Sequence, residues 1–584
     1  GEGGVGVRCF ICENRCAIPP GGTGRCRMYT NEDGTIVERF PDHYIATMPI
    51  AIETMPMCHY HPRETFLQAS GIGCTFSCGG CISETVAHHA EAVSGALKHI
   101  PPEVLVRRAR EERCRGIAFC LNDPTAMHQT FLRVARAAHD AGLLVGCATN
   151  GYYTEESLRD LAPAIDFANI GLKGVSDACY RACGAVSAEP AFRTVRALFE
   201  AGVHVEVSCI YARGSEDELR AAAARIAEIS PDIPFLVMRF IPFGDEPPER
   251  EPTIAESERI CDELQEKLRY VYLFNSPGTE YLNMVCPSCG GTVVRREFFG
   301  PMGARTIVIP PDARCSCGFS LPVAGSIGER PYAEPGMMGG YRFTRALEMV
   351  HAILVCLGVE SDAELARIWA GVIRDDFIHD LHGKIQRIDG YLDLVRELGE
   401  RAGRPEAAEK LTTYIGDRLA AVSSAVEGCR RPRVYYSMGT PLFALNAERF
   451  EMDLVEAAGG DPVNRKIERA GKPGVNITPE EFAAFNPEYI FISGFLSAPV
   501  SDYLAACQRL GLSADALELG RVYTMPPGWD FGNPRWVLGL SAIASTLHPE
   551  RARFDLAAEQ ERFYRTFYGT GAAAVLGNRS FYRP

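Results

Sequence analysis

The sequence predicts an α/β protein built around a partial (β/α)6 barrel. A Cys-rich N-terminal segment precedes the barrel, and a zinc-ribbon-like insert, a helical linker and a C-terminal Rossmann-like lobe follow it. Three observations carry this reading. Short apolar strands alternate with amphipathic helical stretches between Phe66 and Ile241. Eleven of the 22 cysteines fall into three groups with ligand-like spacing. After Val323 the composition shifts to long helical periodicity and then to a second α/β unit. The expected boundaries are 1–62, 63–275, 276–330, 331–430 and 431–584.

With 46% hydrophobic and 23% charged residues over 584 positions, the chain has ordinary globular composition and room for several cores. Sixty basic against 74 acidic side chains leave a net charge of -14, which disfavours nucleic acid and anionic membranes as partners. The longest apolar run, Ala352 to Val359, is too short to span a bilayer. Gly1 to Val7 lacks the pattern of a signal peptide, so a cytoplasmic location is expected, with the opening glycine implying trimming. In a reducing compartment, 22 cysteines point to thiolate ligands rather than disulfides. The eleven scattered cysteines read as small core hydrophobes, and Cys58, beside His59 and His61, is taken the same way, with metal ligation the alternative.

The first barrel strand, Phe66 to Ala69, runs into Gly71-Ile-Gly-Cys74-Thr-Phe-Ser-Cys78-Gly-Gly-Cys81. A [4Fe-4S] cube needs four ligands, so Cys74, Cys78 and Cys81 would leave one iron open to the amino and carboxylate groups of a small molecule. A zinc site is the alternative. This C-x3-C-x2-C spacing resembles the radical S-adenosylmethionine (SAM) superfamily. The resemblance implies that SAM binds the open iron and is cleaved reductively to a 5'-deoxyadenosyl radical. The superfamily usually has an aromatic residue before the third cysteine, where this sequence has Gly80.

The later strands are expected at Gly116 to Leu121, Leu143 to Thr149, Phe167 to Leu172, His204 to Tyr211 and Phe235 to Ile241, with ligand-binding groups at their C-terminal ends. Asn122 and Asp123, Asn150, Lys173, Glu206, Ser208 and Arg239 are the candidates. Asn122-Asp-Pro, Thr149-Asn-Gly and Leu172-Lys-Gly resemble signatures of the pyruvate formate-lyase activase-related branch, which implies that Asn122, Asp123 and Lys173 help to hold SAM. Gly171 stands where that branch has Asp.

The two outer cysteine groups read as metal staples. Cys286-x2-Cys289 and Cys315-x-Cys317 have the paired-knuckle form of a closed four-thiolate site for zinc or iron. Cys9, Cys12, Cys16 and Cys26 surround a Pro-Pro-Gly-Gly turn in a segment too polar for its own core. A structural zinc or iron ion is expected there, with an auxiliary iron-sulfur cluster as the alternative.

Helical periodicity covers Thr344 to Val359, Ser361 to Ile373 and Ile385 to Val426. Strands are then expected at Val434 to Ser437, Tyr489 to Ser493 and Arg521 to Met525, with helices at Phe450 to Ala458, Pro479 to Phe485 and Trp536 to Leu547. Arg431-Pro-Arg-Val434, Glu456-Ala-Ala-Gly-Gly460, Ile477-Thr-Pro-Glu-Glu481, Phe485-Asn-Pro-Glu-Tyr-Ile-Phe-Ile-Ser493 and Leu547-His-Pro-Glu550 resemble the second lobe of class III periplasmic binding proteins, with the first lobe absent. That family captures siderophores, haem and cobalamin. Beside a radical-generating barrel, cobalamin is the expected ligand, because a carbon radical cannot accept a methyl cation from SAM but can accept a methyl group from homolysis of a cobalt-carbon bond. Candidate contacts are the loop tips Ser437, Gly439, Ser493, Gly494, Phe495, Trp529, Phe531, Asn533 and Trp536. His379 and His382 share a helical face and are expected to pack, with cobalt ligation as the alternative.

The combination resembles the cobalamin-dependent radical SAM glutamine C-methyltransferases of methanogenic archaea. It implies methylation of a glutamine α-carbon in a protein partner, the methyl-coenzyme M reductase α subunit, before that partner folds. The other readings are an activase-like radical SAM enzyme without methyl transfer and a non-catalytic corrinoid or haem carrier.

Overall fold

The computed structural model describes residues 6–242 and 246–571. Its central sheet has eight strands in the order Val271–Phe274, Phe235–Arg239, His204–Tyr211, Phe167–Leu172, Leu144–Thr149, Gly116–Phe119, Thr65–Ser70 and Ala46–Ala51. The first seven run parallel, and Ala46–Ala51 closes the edge antiparallel to Thr65–Ser70. The six expected strands are therefore extended by one parallel strand and one antiparallel strand. Val271-Tyr-Leu-Phe274 is buried throughout and too short to show any periodicity.

Helices cover the outer face of this sheet, as parallel strands require. Glu189–Glu200 buries Phe192, Val195 and Leu198, and Ile254–Leu264 starts at a capping box between Thr253 and Glu256. After Gly116–Phe119 the chain turns sharply at Leu121, whose φ of 81° is rare for a side chain with a Cβ, and this turn presents Asn122 and Asp123 to the end of the sheet. The ribbon is a three-stranded antiparallel sheet of Met284–Val285, Thr292–Phe298 and Ala304–Val308.

The C-terminal lobe has a sheet ordered Gly474–Asn476, Phe443–Leu445, Arg433–Ser437, Tyr489–Ile492 and Val522–Thr524, with Asp461–Pro462 also pairing with Arg433–Ser437. The helices Arg342–Cys356, Asp362–Arg374, Phe377–Ile385, Ile388–Arg401 and Pro405–Val426 precede it. The sequence suggested a linker here. Instead Leu394, Leu398, Leu411 and Ile415 share one core with Trp536, Leu540 and Ile543, so the helices are structural members of the lobe. Among the described residues no helix is long and apolar enough to cross a membrane.

Candidate active site: a thiolate loop and two adjoining cavities

The loop after Thr65–Ser70 places Cys74, Cys78 and Cys81 on the wall of one cavity at the C-terminal ends of the strands. Asn122, Asp123, Asn150, Lys173, Ser208 and Arg239 line the same cavity. Burial pushes the Cys74 thiol up, and raises Cys81 to about 12. Cys78 is drawn down to about 7, first by a hydrogen bond from the Cys183 thiol. Cys183, expected in the core with the scattered cysteines, thus sits beside the loop. Burial alone would depress the Lys173 ammonium, but the negative charge that Cys78, Cys183, Cys81 and Cys74 carry as thiolates raises it, so thiolate ligands and a cation support one another in this cavity. Asn150 Nδ2 points at Cys74 Sγ at 3.7 Å and donates to Thr75 Oγ1 at 3.1 Å. The donor set fits an iron cube with one open corner: three sulfurs, a cation and amide donors around one space.

Several of these side chains act on the chain rather than on the space. Asp123 accepts from Thr125 N (2.9 Å), Thr125 Oγ1 (2.7 Å), Thr149 Oγ1 (2.9 Å) and Asn150 N (2.7 Å), tying two strand ends together. Asn122 Oδ1 accepts from Gly71 N at 2.8 Å, fixing the base of the thiolate loop. Ser208 Oγ donates to Asn169 Oδ1 at 2.9 Å. The Arg239 guanidinium, fully buried, binds Asn275 O at 2.7 Å and Glu251 Oε1 at 3.0 Å. Glu206 corrects the sequence reading. It does not line the cavity; its carboxylate accepts from Cys58 N and His59 N at 2.7 Å each and pairs with His204 at 3.0 Å. As the third residue of an eight-residue strand it lies in the half away from the strand's C-terminal end, where the thiolate loop sits. His59 packs against Tyr272, with its Nε2 2.6 Å from the hydroxyl, and among the described residues it joins no cluster of metal-ligating atoms.

At Gly80 a Cβ would lie 3.2 Å from the edge of Phe240 and 2.6 Å from Glu246 Cγ. Phe240, at the end of the strand Phe235–Arg239, thus brings an aromatic ring to the place where the resemblance expected one on the loop.

A second cavity, of about 230 Å³, opens between the lobe, the ribbon and the helix Arg342–Cys356. Its walls are apolar at Phe298, Met337, Met349, Met438, Phe495 and Phe531, and four cations, Arg342, Arg345, Arg449 and Lys472, reach it. Arg449 lies 3.8 Å from the centroid of Phe531 and Arg345 4.6 Å from that of Phe495. His382 is also on the wall, held neutral with its pKa lowered to about 4 by burial and then by Lys472, Arg449 and Arg342. Asp530, buried beside Glu451, is raised to about 7. Gly494, Phe495 and Phe531 are the predicted contacts that line this cavity.

Ser437, Ser493, Trp529, Asn533 and Trp536 do not line it, and Gly439 lines a different surface cavity, with Thr440 and Pro441. Ser437 Oγ pairs with Tyr503 Oη at 2.9 Å, Asn533 Oδ1 accepts from Arg535, and Trp536 packs edge-on against Tyr391 and Phe450. These residues build the lobe's core. Tryptophan tends to be highly buried, and nothing in the local sequence separates a core ring from a ligand-facing one.

The thiolate-loop cavity and the lobe cavity adjoin. Met302 and Tyr341 line the first, while Pro301 and Arg342, their immediate neighbours in the chain, line the second. Tyr341, Met302 and the cations of the lobe cavity were missed from sequence. The signal available was the Gly-Met-Met-Gly-Gly run at 336–340, whose glycines let the chain pass close to Glu334 and Thr54.

The ribbon thiols are drawn together as a single ion requires, with Cys286 Sγ and Cys317 Sγ 3.6 Å apart and Cys289 Sγ and Cys315 Sγ 3.6 Å apart.

Residues 70–226 match the radical SAM superfamily. The chain carries a radical SAM domain. Residues 339–527 match the periplasmic binding proteins, so a binding-protein-like domain is present as well, and its match takes in the helices that share the lobe's core. An uncharacterized protein of Methanocaldococcus jannaschii is 28% identical over 300 residues, covering 50% of this chain and 88% of that protein. A periplasmic solute binding protein of Veillonella parvula has 22% identity and a TM-score of 0.29, covering 33% of this chain and 61% of that one. An ABC transporter solute binding protein of Sulfurospirillum deleyianum has 21% identity and a TM-score of 0.29, covering 34% and 62%. The chain thus spans about six tenths of the length of these binding proteins.

Proposed function

We propose that this radical SAM enzyme is a cobalamin-dependent C-methyltransferase that methylates the α-carbon of a glutamine in a polypeptide, the methyl-coenzyme M reductase α subunit. The observation that supports methyl transfer best is the pair of adjoining cavities divided at Pro301–Met302 and Tyr341–Arg342. When bound, the iron cube with SAM would supply a hydrogen-abstracting adenosyl radical, and the corrin a methyl group released by homolysis.

Cys74, Cys78 and Cys81 would hold the cube, and Lys173 would balance its negative charge. Phe240 presents a ring for stacking against a purine. In the second cavity the apolar walls suit a corrin face, and Arg342, Arg345, Arg449 and Lys472 suit its phosphodiester and amide periphery. Gly471, Gly494 and Gly528 on this wall let neighbouring chain segments pack closely, since a Cβ there would meet Gly474 O, Pro526 O and the Arg535 guanidinium. The choice of glutamine and of the reductase rests on the family resemblance.

The test is anaerobic incubation of reconstituted enzyme with SAM, methylcobalamin, a reductant and a glutamine-containing reductase peptide, followed by mass spectrometry. A gain of one methylene at the glutamine is expected. Deoxyadenosine production without methylation, and without retained corrinoid, would replace this reading with an activase-like one.

A further inference from the structure

We propose that the N-terminal quartet Cys9, Cys12, Cys16 and Cys26 holds a [4Fe-4S] cluster, an auxiliary one-electron centre, in place of a single zinc or iron ion. The four side chains line one small cavity, with Ile11, Ile18 and Tyr29 as its apolar walls. The sulfurs are supplied with backbone donors. Arg25 N donates to Cys16 Sγ at 3.5 Å, and the N–H groups of Ile11, Asn14 and Met28 hydrogen-bond Cys9, Cys12 and Cys26. Three of these donors lie two residues after their cysteine, as Phe76 N does for Cys74 Sγ at 3.4 Å and Ser83 for Cys81. Such N–H groups stabilise bound thiolates.

That hydrogen bonding would serve an ion or a cluster equally, and the spacing separates them. A tetrahedral ion with bonds of about 2.3 Å sets its sulfurs roughly 3.8 Å apart. The ribbon meets this condition at 3.6 Å. Among the described residues it is the only set in which three or more ligand atoms come within 4.8 Å of one another, so the quartet converges on a shared space but is spread too widely for one ion. The Cys74, Cys78 and Cys81 set is spread in the same way. A cube, whose four irons sit at alternate corners and each take one thiolate, separates its thiolates further than a lone ion can.

The quartet also abuts the thiolate loop. Asn14, on the wall of the quartet's cavity, donates from Nδ2 to Thr75 O at 3.0 Å, and Thr75 follows Cys74 in the chain.

The inference is independent of what the lobe cavity binds. Acid-labile sulfide in the anaerobically reconstituted full chain decides it, because a single zinc or iron ion carries none. The wild type is expected to hold about eight sulfides per chain, and Cys74→Ala/Cys78→Ala/Cys81→Ala about four. In that variant dithionite should produce a half-integer-spin signal that SAM leaves unchanged. Cys12→Ala/Cys16→Ala should return the count to about four and restore a purely SAM-responsive signal. About four sulfides in the wild type, or none in the triple variant when it folds, would overturn the assignment in favour of a lone ion. The wild-type count stands even if neither variant folds.

Discussion

Tyr341 and Arg342 are consecutive in the chain yet serve different chambers: Tyr341 lines the thiolate-loop cavity and Arg342 the lobe cavity. If a methyl group passes between the two, this dipeptide lies at the crossing. Tyr341→Ala is expected to leave deoxyadenosine formation within about threefold of wild type and to lower methylated peptide by about tenfold or more, the cost of misplacing a reacting partner. Equal losses in both products would remove Tyr341 from the boundary.

Cys78→Ala should reduce SAM cleavage to the background rate, because a cube left with two protein ligands is not retained. Equilibrium binding of cobalamin to the same variant should stay within about twofold of wild type, the sites being built from separate residues. Loss of both would show that the cavities fold as one unit.

In the lobe cavity, Phe531→Ala removes the ring beneath Arg449 and is expected to weaken cobalamin binding about tenfold, or roughly 1.4 kcal/mol. Trp536→Ala should behave differently, since its indole is fully buried against Tyr391 and Phe450. It is expected to cost about 3–5 kcal/mol of stability. Denaturant unfolding and absorbance titration of the two variants would separate the effects.

Acid should destabilise the fold through its buried imidazoles. Burial lowers His59 to about 3 and His128 to about 4, against roughly 6.5 for an unfolded histidine. The neutral forms are favoured in the fold, so this stabilisation is complete above pH ~6.5 and is lost as the pH falls through the folded values. The thermal midpoint should therefore drop between pH ~6.5 and ~4. His128→Leu, at a site where neither ring nitrogen has a partner, should flatten part of that slope. An unchanged slope would assign the acid response to other groups.

Cys289→Ser should release one metal ion from the ribbon and lower the thermal midpoint by several degrees. SAM cleavage should persist, since the ribbon's thiols line neither cavity. Abolished cleavage with the midpoint unchanged would give the ribbon a catalytic role.

The thiolate loop and the β/α rhythm were legible because both are local patterns. Cysteine spacing survives any packing arrangement, and strand ends gather at one rim by topology. Glu206 was misplaced because its strand was recognised while its depth along that strand was not. Trp529 and Trp536 were misplaced for a different reason: one lies in a glycine-rich turn that resembles a loop tip and the other starts the helix that follows it, but the preceding helices bury both. The helices at 342–426 could not be assigned to the lobe from periodicity, which reveals an apolar face and not its partner. Met302 and Lys472 carry no motif, Tyr341 is marked only by the glycine run before it, and the meeting of three chain segments brings them to the walls of the two cavities.

The Glu334 carboxylate, wholly buried, accepts from Ala51 N at 3.0 Å and Thr54 Oγ1 at 2.6 Å and pairs with Arg342 at 3.1 Å. One acidic side chain therefore rivets the barrel's edge strand to the helix that begins the lobe, and Lys472 of the lobe donates to its carbonyl oxygen. Arg342 lines the lobe cavity, so a wall of that chamber is held by the same carboxylate that grips the barrel's edge, and neither can shift at this point without breaking a buried ion pair.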